Sequence, residues 1–237
     1  MKNRIVNWIR KQLKDAGAKG IVMGLSGGVD SAVVAALSKE AVGRNRVLAL
    51  LMPCQSQKQD SEDARLVAKK LGIKTKRIDL SNIYDNLVKI LPKSGGVALA
   101  NIKPRLRMLT LYYFANKLNY LVCGTGNKSE LMVGYFTKHG DGATDILPIG
   151  NLLKKQVRAL ARELGIPENI ITKKPSAGLW PGQTDEGEMG ITYPELDDIL
   201  ERIGKNKKQV LPKAKVNKVK EMIKRSEHKR QGPRICY

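Results

Sequence analysis

The stretch Gly24-Leu25-Ser26-Gly27-Gly28-Val29-Asp30-Ser31 joins a short apolar run, Ile21 to Leu25, to a helical pattern that begins at Val29. A strand that passes through glycines and serines straight into a helix has the form of a phosphate-binding loop. Glycines let the backbone approach an anion, and the helix start offers free amide hydrogens at the positive end of its dipole. The common nucleotide loop G-x-x-x-x-G-K-[ST] carries a lysine beside its last hydroxyl residue. Here Asp30 takes that place. A carboxylate cannot grip a phosphate directly. The loop chemistry therefore points to an anion cradled by amides and by the Ser26 and Ser31 hydroxyls, with Asp30 holding Mg²⁺ that neutralises both charges. A plain helix-start carboxylate favouring the dipole is the alternative that the loop alone leaves open.

Outward from this loop, strand and helix signals alternate. Residues 3 to 16 place Ile5, Trp8, Ile9 and Leu13 at helical spacing, and the segment Gly17 to Gly20 breaks that helix before the first strand. A helix over Val29 to Val42 ends at Gly43, and Val47 to Met52 reads as a buried strand closed by Pro53. Gln59 to Leu71 is helical, Lys74 to Leu80 alternates as a third strand, and Ser81 is placed to cap a helix over Asn82 to Leu91. One long helix is expected over Val97 to Leu118, with Met108 to Phe114 facing the sheet or a partner subunit; Tyr120 to Gly124 is a short strand. Strands separated by helices of this length predict an α/β fold: a Rossmann-like, doubly wound parallel sheet with helices on both faces. Ligands in such sheets bind beyond the carboxyl ends of strands, where strand order reverses. Gly24 to Ser31 and Gly124 to Glu130 both follow strands directly, so one crevice is expected to hold both.

Beyond residue 134 the pattern loosens. Tyr135 to Gly150 is glycine-rich and polar, Leu152 to Leu164 is a helix, and Lys173 to Gly190 reads as a ligand-ordered loop. Helical segments over Tyr193 to Ile203 and Val216 to Lys224 lead into a basic tail. The composition, 42% hydrophobic over 237 residues, is that of a folded protein with a substantial core. No apolar run approaches the roughly 18 residues of a membrane span and no leader is evident, so a cytoplasmic protein is expected. The three cysteines, Cys54, Cys123 and Cys236, are too far apart for a C-x-x-C pair; Cys54 and Cys123 read as buried thiols. The net charge of +21 favours polyanions without specifying which one. Twelve of the Lys and Arg lie between Lys205 and Arg234, a run that a solvated face explains equally well.

S-G-G-x-D-S resembles the pyrophosphate loop of the ATP pyrophosphatases, enzymes that adenylate a substrate oxygen and release pyrophosphate. Further segments narrow the resemblance: NIKPRLRM (101–108), GTGNKSE (124–130), GYFTKHGDGATDILPI (134–149), KKPSAGLWPGQTDEGEMGI (from Lys173) and EHKR (227–230). Together they resemble ammonia-dependent NAD synthetase over nearly the whole chain, in the family's order. The resemblance implies an adenine nucleotide alpha hydrolase-like fold in one domain over 1–237 without a glutaminase domain. It implies ATP-dependent amidation of nicotinic acid adenine dinucleotide (deamido-NAD) by ammonia, through an acyl adenylate, to NAD, AMP and pyrophosphate. ATP, deamido-NAD and ammonia are then the partners, with Mg²⁺ as cofactor and a homodimer whose sites lie at the interface.

By the same resemblance, Gly24, Leu25, Ser26, Gly27, Gly28, Val29, Asp30, Ser31, Thr125, Lys154 and Ser176 bind ATP, and Asp30 and Glu130 ligate the metal. Arg105, Lys138, Asp145, His228 and Lys229 hold deamido-NAD, and Asp30, Lys138 and Asp145 are the catalytic candidates. Arg105 can pair bidentately with phosphate or carboxylate, and Lys138 adds a point charge near the reacting end. Asp145 can accept from a hydroxyl or from ammonium. Ser176 keeps a hydroxyl where some members of the family carry Thr. Pro104 and His139 stand where relatives have Ala and an aromatic. Tyr135 and Phe136 are either ring-stacking or core residues, and Trp180 is a lid or interface residue. Two competing readings are a tRNA-modifying adenylase, suggested by the charge, and a non-catalytic ATP binder. Neither requires the segments 134–149 and 227–230.

Overall fold

The computed structural model describes residues 1–180 and 182–236; Pro181, within the expected 173–190 loop, lies outside the described residues, as does Tyr237. Chain order begins α1 (Lys2–Asp15), β1 (Gly20–Gly24), α2 (Val29–Val42), a 3-10 turn (Arg44–Arg46), β2 (Val47–Leu51), α3 (Lys58–Leu71), β3 (Lys74–Arg77). It continues with α4 (Ser81–Ile90), α5 (Val97–Ala100), α6 (Ile102–Leu118), β4 (Tyr120–Val122), α7 (Lys128–Val133) and α8 (Lys154–Glu163). The chain closes with α9 (Glu168–Thr172), α10 (Asp185–Met189), α11 (Tyr193–Gly204), α12 (Lys213–Arg225) and α13 (Glu227–Arg230).

The sheet has the order β3-β2-β1-β4, and every pairing is parallel. The chain winds from β1 outward through β2 to β3, then crosses back to lay β4 on the other side of β1. Strand order therefore reverses between β1 and β4, which run side by side with Val22 opposite Val122, so that β1 extends two residues beyond the end of β4. The loops that leave these two ends line one crevice.

Both faces of the sheet are covered, which is why β1 and β2 are continuously apolar rather than alternating. On one face Ile21, Met23, Ala49 and Leu51 pack with α1, α2, α3 and α8 residues such as Ile9, Val33, Val67 and Val157. On the other, Val22, Leu50 and Val122 pack with Tyr84 of α4 and Phe114 of α6. A separate apolar cluster joins Val133 of α7 to Met189, Tyr193, Leu196, Val216 and Val219, so α10, α11 and α12 form an annex that rests on α7 and α8. Among the described residues no helix is long and apolar enough to cross a membrane.

Three expectations are corrected. The helix expected over Val97 to Leu118 breaks at Asn101 into α5 and α6. Pro104 explains the break: it lacks an amide hydrogen and its ring clashes with the preceding turn, so it is tolerated only in the first turn of a helix, where α6 places it. The third strand is four residues long with Lys74, Thr75, Lys76 and Arg77 all exposed, rather than alternating to Leu80. It is the sheet's edge, where lysines discourage pairing with another chain. Ser81 does not cap α4 with its side chain; its Oγ accepts from the Gln55 amide, and Asp79 accepts from the Ser81 amide.

Candidate active site

The loop 24–31 crosses from β1 to α2 with Gly27 at φ 84°, a left-handed conformation that a side chain would strain. A Cβ there would lie 2.9 Å from the Asp63 Cβ and 3.2 Å from the Ala64 amide, and closer still to the Asp60 carbonyl. Gly27 thus faces α3, and its neighbours Gly24, Leu25, Ser26, Gly28, Val29, Asp30 and Ser31 line a cavity of about 630 Å³. Ser31 Oγ donates to the Gly28 carbonyl at 2.9 Å and lies 3.1 Å from Ser26 Oγ, so the two hydroxyls brace the loop from inside.

The second motif enters the same cavity from β4. Asn127 caps α7 in a reciprocal box: its side chain accepts from the Glu130 amide, and Glu130 Oε2 accepts from the Asn127 amide. The two motifs then touch, because Asn127 Nδ2 donates to Asp30 Oδ1 at 2.9 Å. Lys154, from the first turn of α8, closes the contact with Nζ 2.5 Å from Asp30 Oδ2 and 3.2 Å from Glu130 Oε1. Its side chain is 2% exposed, against 18% for Asp30 and 16% for Glu130. It also lies 4.7 Å from the centre of the Tyr193 ring.

Burial raises the Glu130 carboxyl well above the ordinary carboxylate range; Lys154 opposes that shift and the nearby Asp30 reinforces it. For Lys154 burial works against the charged form, and the attraction of Asp30 and Glu130 wins, raising its pKa. Tyr193 Oη lies 3.1 Å from Glu130 Oε1 and 2.9 Å from Asp185 Oδ2. Asp185 is 4% exposed, burial raises its pKa, and its second oxygen has no hydrogen-bond partner among the described residues. A cluster with three carboxylates, one ammonium and an unpaired buried oxygen is suited to gaining further positive charge.

Hard carboxylate oxygens that converge on a single cation fit Mg²⁺, which commonly takes one or two carboxylates and fills its shell with water and phosphate oxygens. Asp30 and Glu130 meet that description, since both reach one ammonium. Thr125, Ser176 and Lys229 also line the cavity, as do Arg107, Asp141, Lys173 and Glu188.

The remaining expected residues are tied mainly to backbone carbonyls and amides of neighbouring segments. Arg105 Nη2 donates to the Lys138 carbonyl at 3.4 Å, and Lys138 Nζ donates to the His228 carbonyl at 2.6 Å. Lys229 Nζ donates to the carbonyls of Gly134 and Phe136, at 2.8 and 2.9 Å, which ties α13 to the 134–149 loop. Asp145 accepts from the Val122 amide at 2.7 Å and from the Tyr112 hydroxyl at 3.0 Å. It thereby fastens that loop to the end of β4. Arg105, Lys138, Asp145 and His228 do not line the cavity, while Lys229 does. Of the aromatics, Tyr135 and Phe136 line it, whereas Trp180 is exposed.

Sequence reasoning missed Asn127, Asp185 and Tyr193 as parts of the cluster around Asp30, Glu130 and Lys154. The N-x-x-E spacing of Asn127 and Glu130 carried a capping signal, but its link to Asp30 is purely tertiary. Tyr193 sits at the start of α11, where nothing in the local pattern points back to α7.

The NAD synthase family model matches residues 1–233. The NH(3)-dependent NAD(+) synthetase of Carboxydothermus hydrogenoformans is 52% identical, over 98% of this chain and 95% of that protein. Among solved structures, NMN synthetase from Francisella tularensis is 42% identical with a TM-score of 0.92, covering 99% of this chain and 96% of that one. NH3-dependent NAD synthetase from Campylobacter jejuni, solved with nitrate, is 34% identical with a TM-score of 0.87, covering 100% of this chain and 97% of that one. With a reversed-order parallel sheet, both motif loops joined at its switch point and these full-length likenesses, the chain belongs to the NAD synthase family.

Proposed function

We infer that the protein is a ligase that amidates deamido-NAD with ammonia, using ATP and producing NAD, AMP and pyrophosphate. The observation that carries this reading is the meeting of Asp30, Asn127, Glu130 and Lys154 at the mouth of the glycine loop. The group lies where the phosphates of an adenine nucleotide reach after the loop amides and Ser26, Ser31 and Ser176 take the terminal pair. Mg²⁺ held by Asp30 and Glu130 would supply charge neutralisation at the α-phosphate.

The substrate brings its own carboxylate nucleophile, so the chain's residues bind, orient and neutralise. The loop amides and hydroxyls stabilise the departing pyrophosphate, and Lys154 is available to the same phosphates once the carboxylates have a second cation. Lys229, Arg105, Lys138 and His228 are assigned to deamido-NAD, with Asp145 holding the loop that carries Lys138. The homodimer is supported by exposed apolar side chains on the adjacent α4 and α6: Ile83, Ile90, Leu109 and Tyr113.

Incubation with ATP, Mg²⁺, ammonium and deamido-NAD should yield NAD, AMP and pyrophosphate in equal amounts. Failure to form NAD, or turnover with glutamine alone, would contradict this reading. The likeness to an NMN synthetase favours a second substrate assignment, nicotinic acid mononucleotide. A competition between the two acids decides it: the preferred substrate is the one with the higher kcat/KM.

A further inference from the structure

The phosphate loop and the segment that carries Ser176 are joined by an ion-pair triad outside the cluster around Asp30, Glu130 and Lys154. Lys173, which directly follows α9, places Nζ 2.8 Å from Asp60 Oδ1 and 2.5 Å from Asp63 Oδ2. Asp63 is 6% exposed at its side chain, while Asp60 and Lys173 are about a third exposed and line the cavity. Asp63 is fixed on its other oxygen by Gln59 Nε2 at 2.9 Å. The backbone and Cβ atoms of this same turn of α3 are what Gly27 packs against. A chain of contacts therefore runs from Gly27 through Asp60 and Asp63 to Lys173, and three residues later to Ser176.

The local charge gives this chain a consequence. Two carboxylates behind a loop that receives a polyanion are unfavourable unless they are compensated, and a buried carboxylate stripped of its cation is costly. With Lys173 the three groups sum to one negative charge; without it, to two. We propose that Lys173 is a positioning residue for ATP: it holds the first turn of α3 against Gly27, docks the 173–179 segment over the phosphates and reduces repulsion at the terminal phosphate. The assignment of that end of the cavity to ATP rests on the proposed function.

The test compares wild type with Lys173→Met, Lys173→Arg and Asp63→Asn. It uses steady-state kinetics for each substrate, thermal unfolding, and titration of Trp180 fluorescence with ATP and Mg²⁺ in a Trp8→Phe background. Loss of one charge-assisted contact predicts a rise of about tenfold in the ATP KM for Lys173→Met and an equal shift of the Trp180 titration. The KM for deamido-NAD should stay within about twofold, and Lys173→Arg should recover most of the loss. An unchanged ATP titration, or an equal loss for both substrates, overturns the proposal. If Lys173→Met does not fold, Asp63→Asn must show the ATP-selective shift, and its absence overturns it equally. The fluorescence titration needs only ATP, so it reports on Lys173 even if the wild type forms no NAD, a result that would count against the function alone.

Discussion

Gly27 and Gly28 are adjacent in sequence and both free of side chains, yet substitution by alanine should fail for different reasons. At Gly27 the backbone is left-handed, which costs an L-residue about 1–2 kcal/mol. The added methyl would also press on backbone and Cβ atoms of α3, which cannot rotate away, at a further cost of about 1–3 kcal/mol. Reduced freedom of the unfolded chain returns about 0.4–1 kcal/mol. Gly27→Ala should therefore lose about 1–5 kcal/mol of stability, a fall in Tm of roughly 2–20 °C for a chain of this size. At Gly28, φ is −90° and the nearest atom to a new Cβ is Ser26 Oγ at 3.5 Å, so Gly28→Ala should unfold within about 0.5 kcal/mol of wild type. Gly28 lines the cavity, however, and a methyl there would intrude on the proposed phosphate site. Urea unfolding paired with pyrophosphate release separates the two effects. Gly27→Ala should be unstable and weak in ATP use, and Gly28→Ala stable but weak. The reasoning fails if both variants lose the same stability, or if Gly28→Ala keeps wild-type affinity for ATP.

Three further outcomes follow from the geometry. Asn127→Ala removes both the α7 cap and the bond to Asp30, so stability should fall by about 1 kcal/mol and kcat/KM for ATP by at least tenfold; urea titration and initial rates check this, and wild-type rates would contradict it. Burial pushes the Cys123 thiol up to about 12 and raises Cys54 as well, so both stay protonated as pH rises through 8. A thiol reagent at pH 8 should find exposed Cys236 alone in the native protein and all three cysteines in urea, and fast reaction of two native thiols would refute it. Leu109→Glu places a charge in the exposed apolar surface of α6, so sedimentation should show the proposed homodimer shifted to monomer without loss of helix content. A dimer of unaltered stability would place the interface elsewhere.

The alternation of apolar runs and helical patterns was enough to predict the parallel sheet, because strands buried on both faces must be continuously apolar and because glycine punctuation marked their ends. The proposed chemistry of the loop 24–31 rests on local residue types: glycines, hydroxyls and a carboxylate at a helix start suit phosphate and metal. Local patterning failed where a distant partner decides. Pro104 could be read as a backbone restriction, but the break at Asn101 depends on which turn of the helix holds it. Lys74 to Arg77 carry a strand pattern whose exposure follows from lying at the sheet edge.

The same division runs through the site. Sequence by itself determined the residue types that can hold a triphosphate and a metal, since those follow from charge and hydrogen-bonding capacity. Only the tertiary structure decided that Asn127 reaches Asp30, that Lys154 is buried between two carboxylates, and that Tyr193 joins Asp185 to Glu130. Such contacts span up to 124 residues of chain, and their geometry is set by the reversal of strand order between β1 and β4, which no local pattern records.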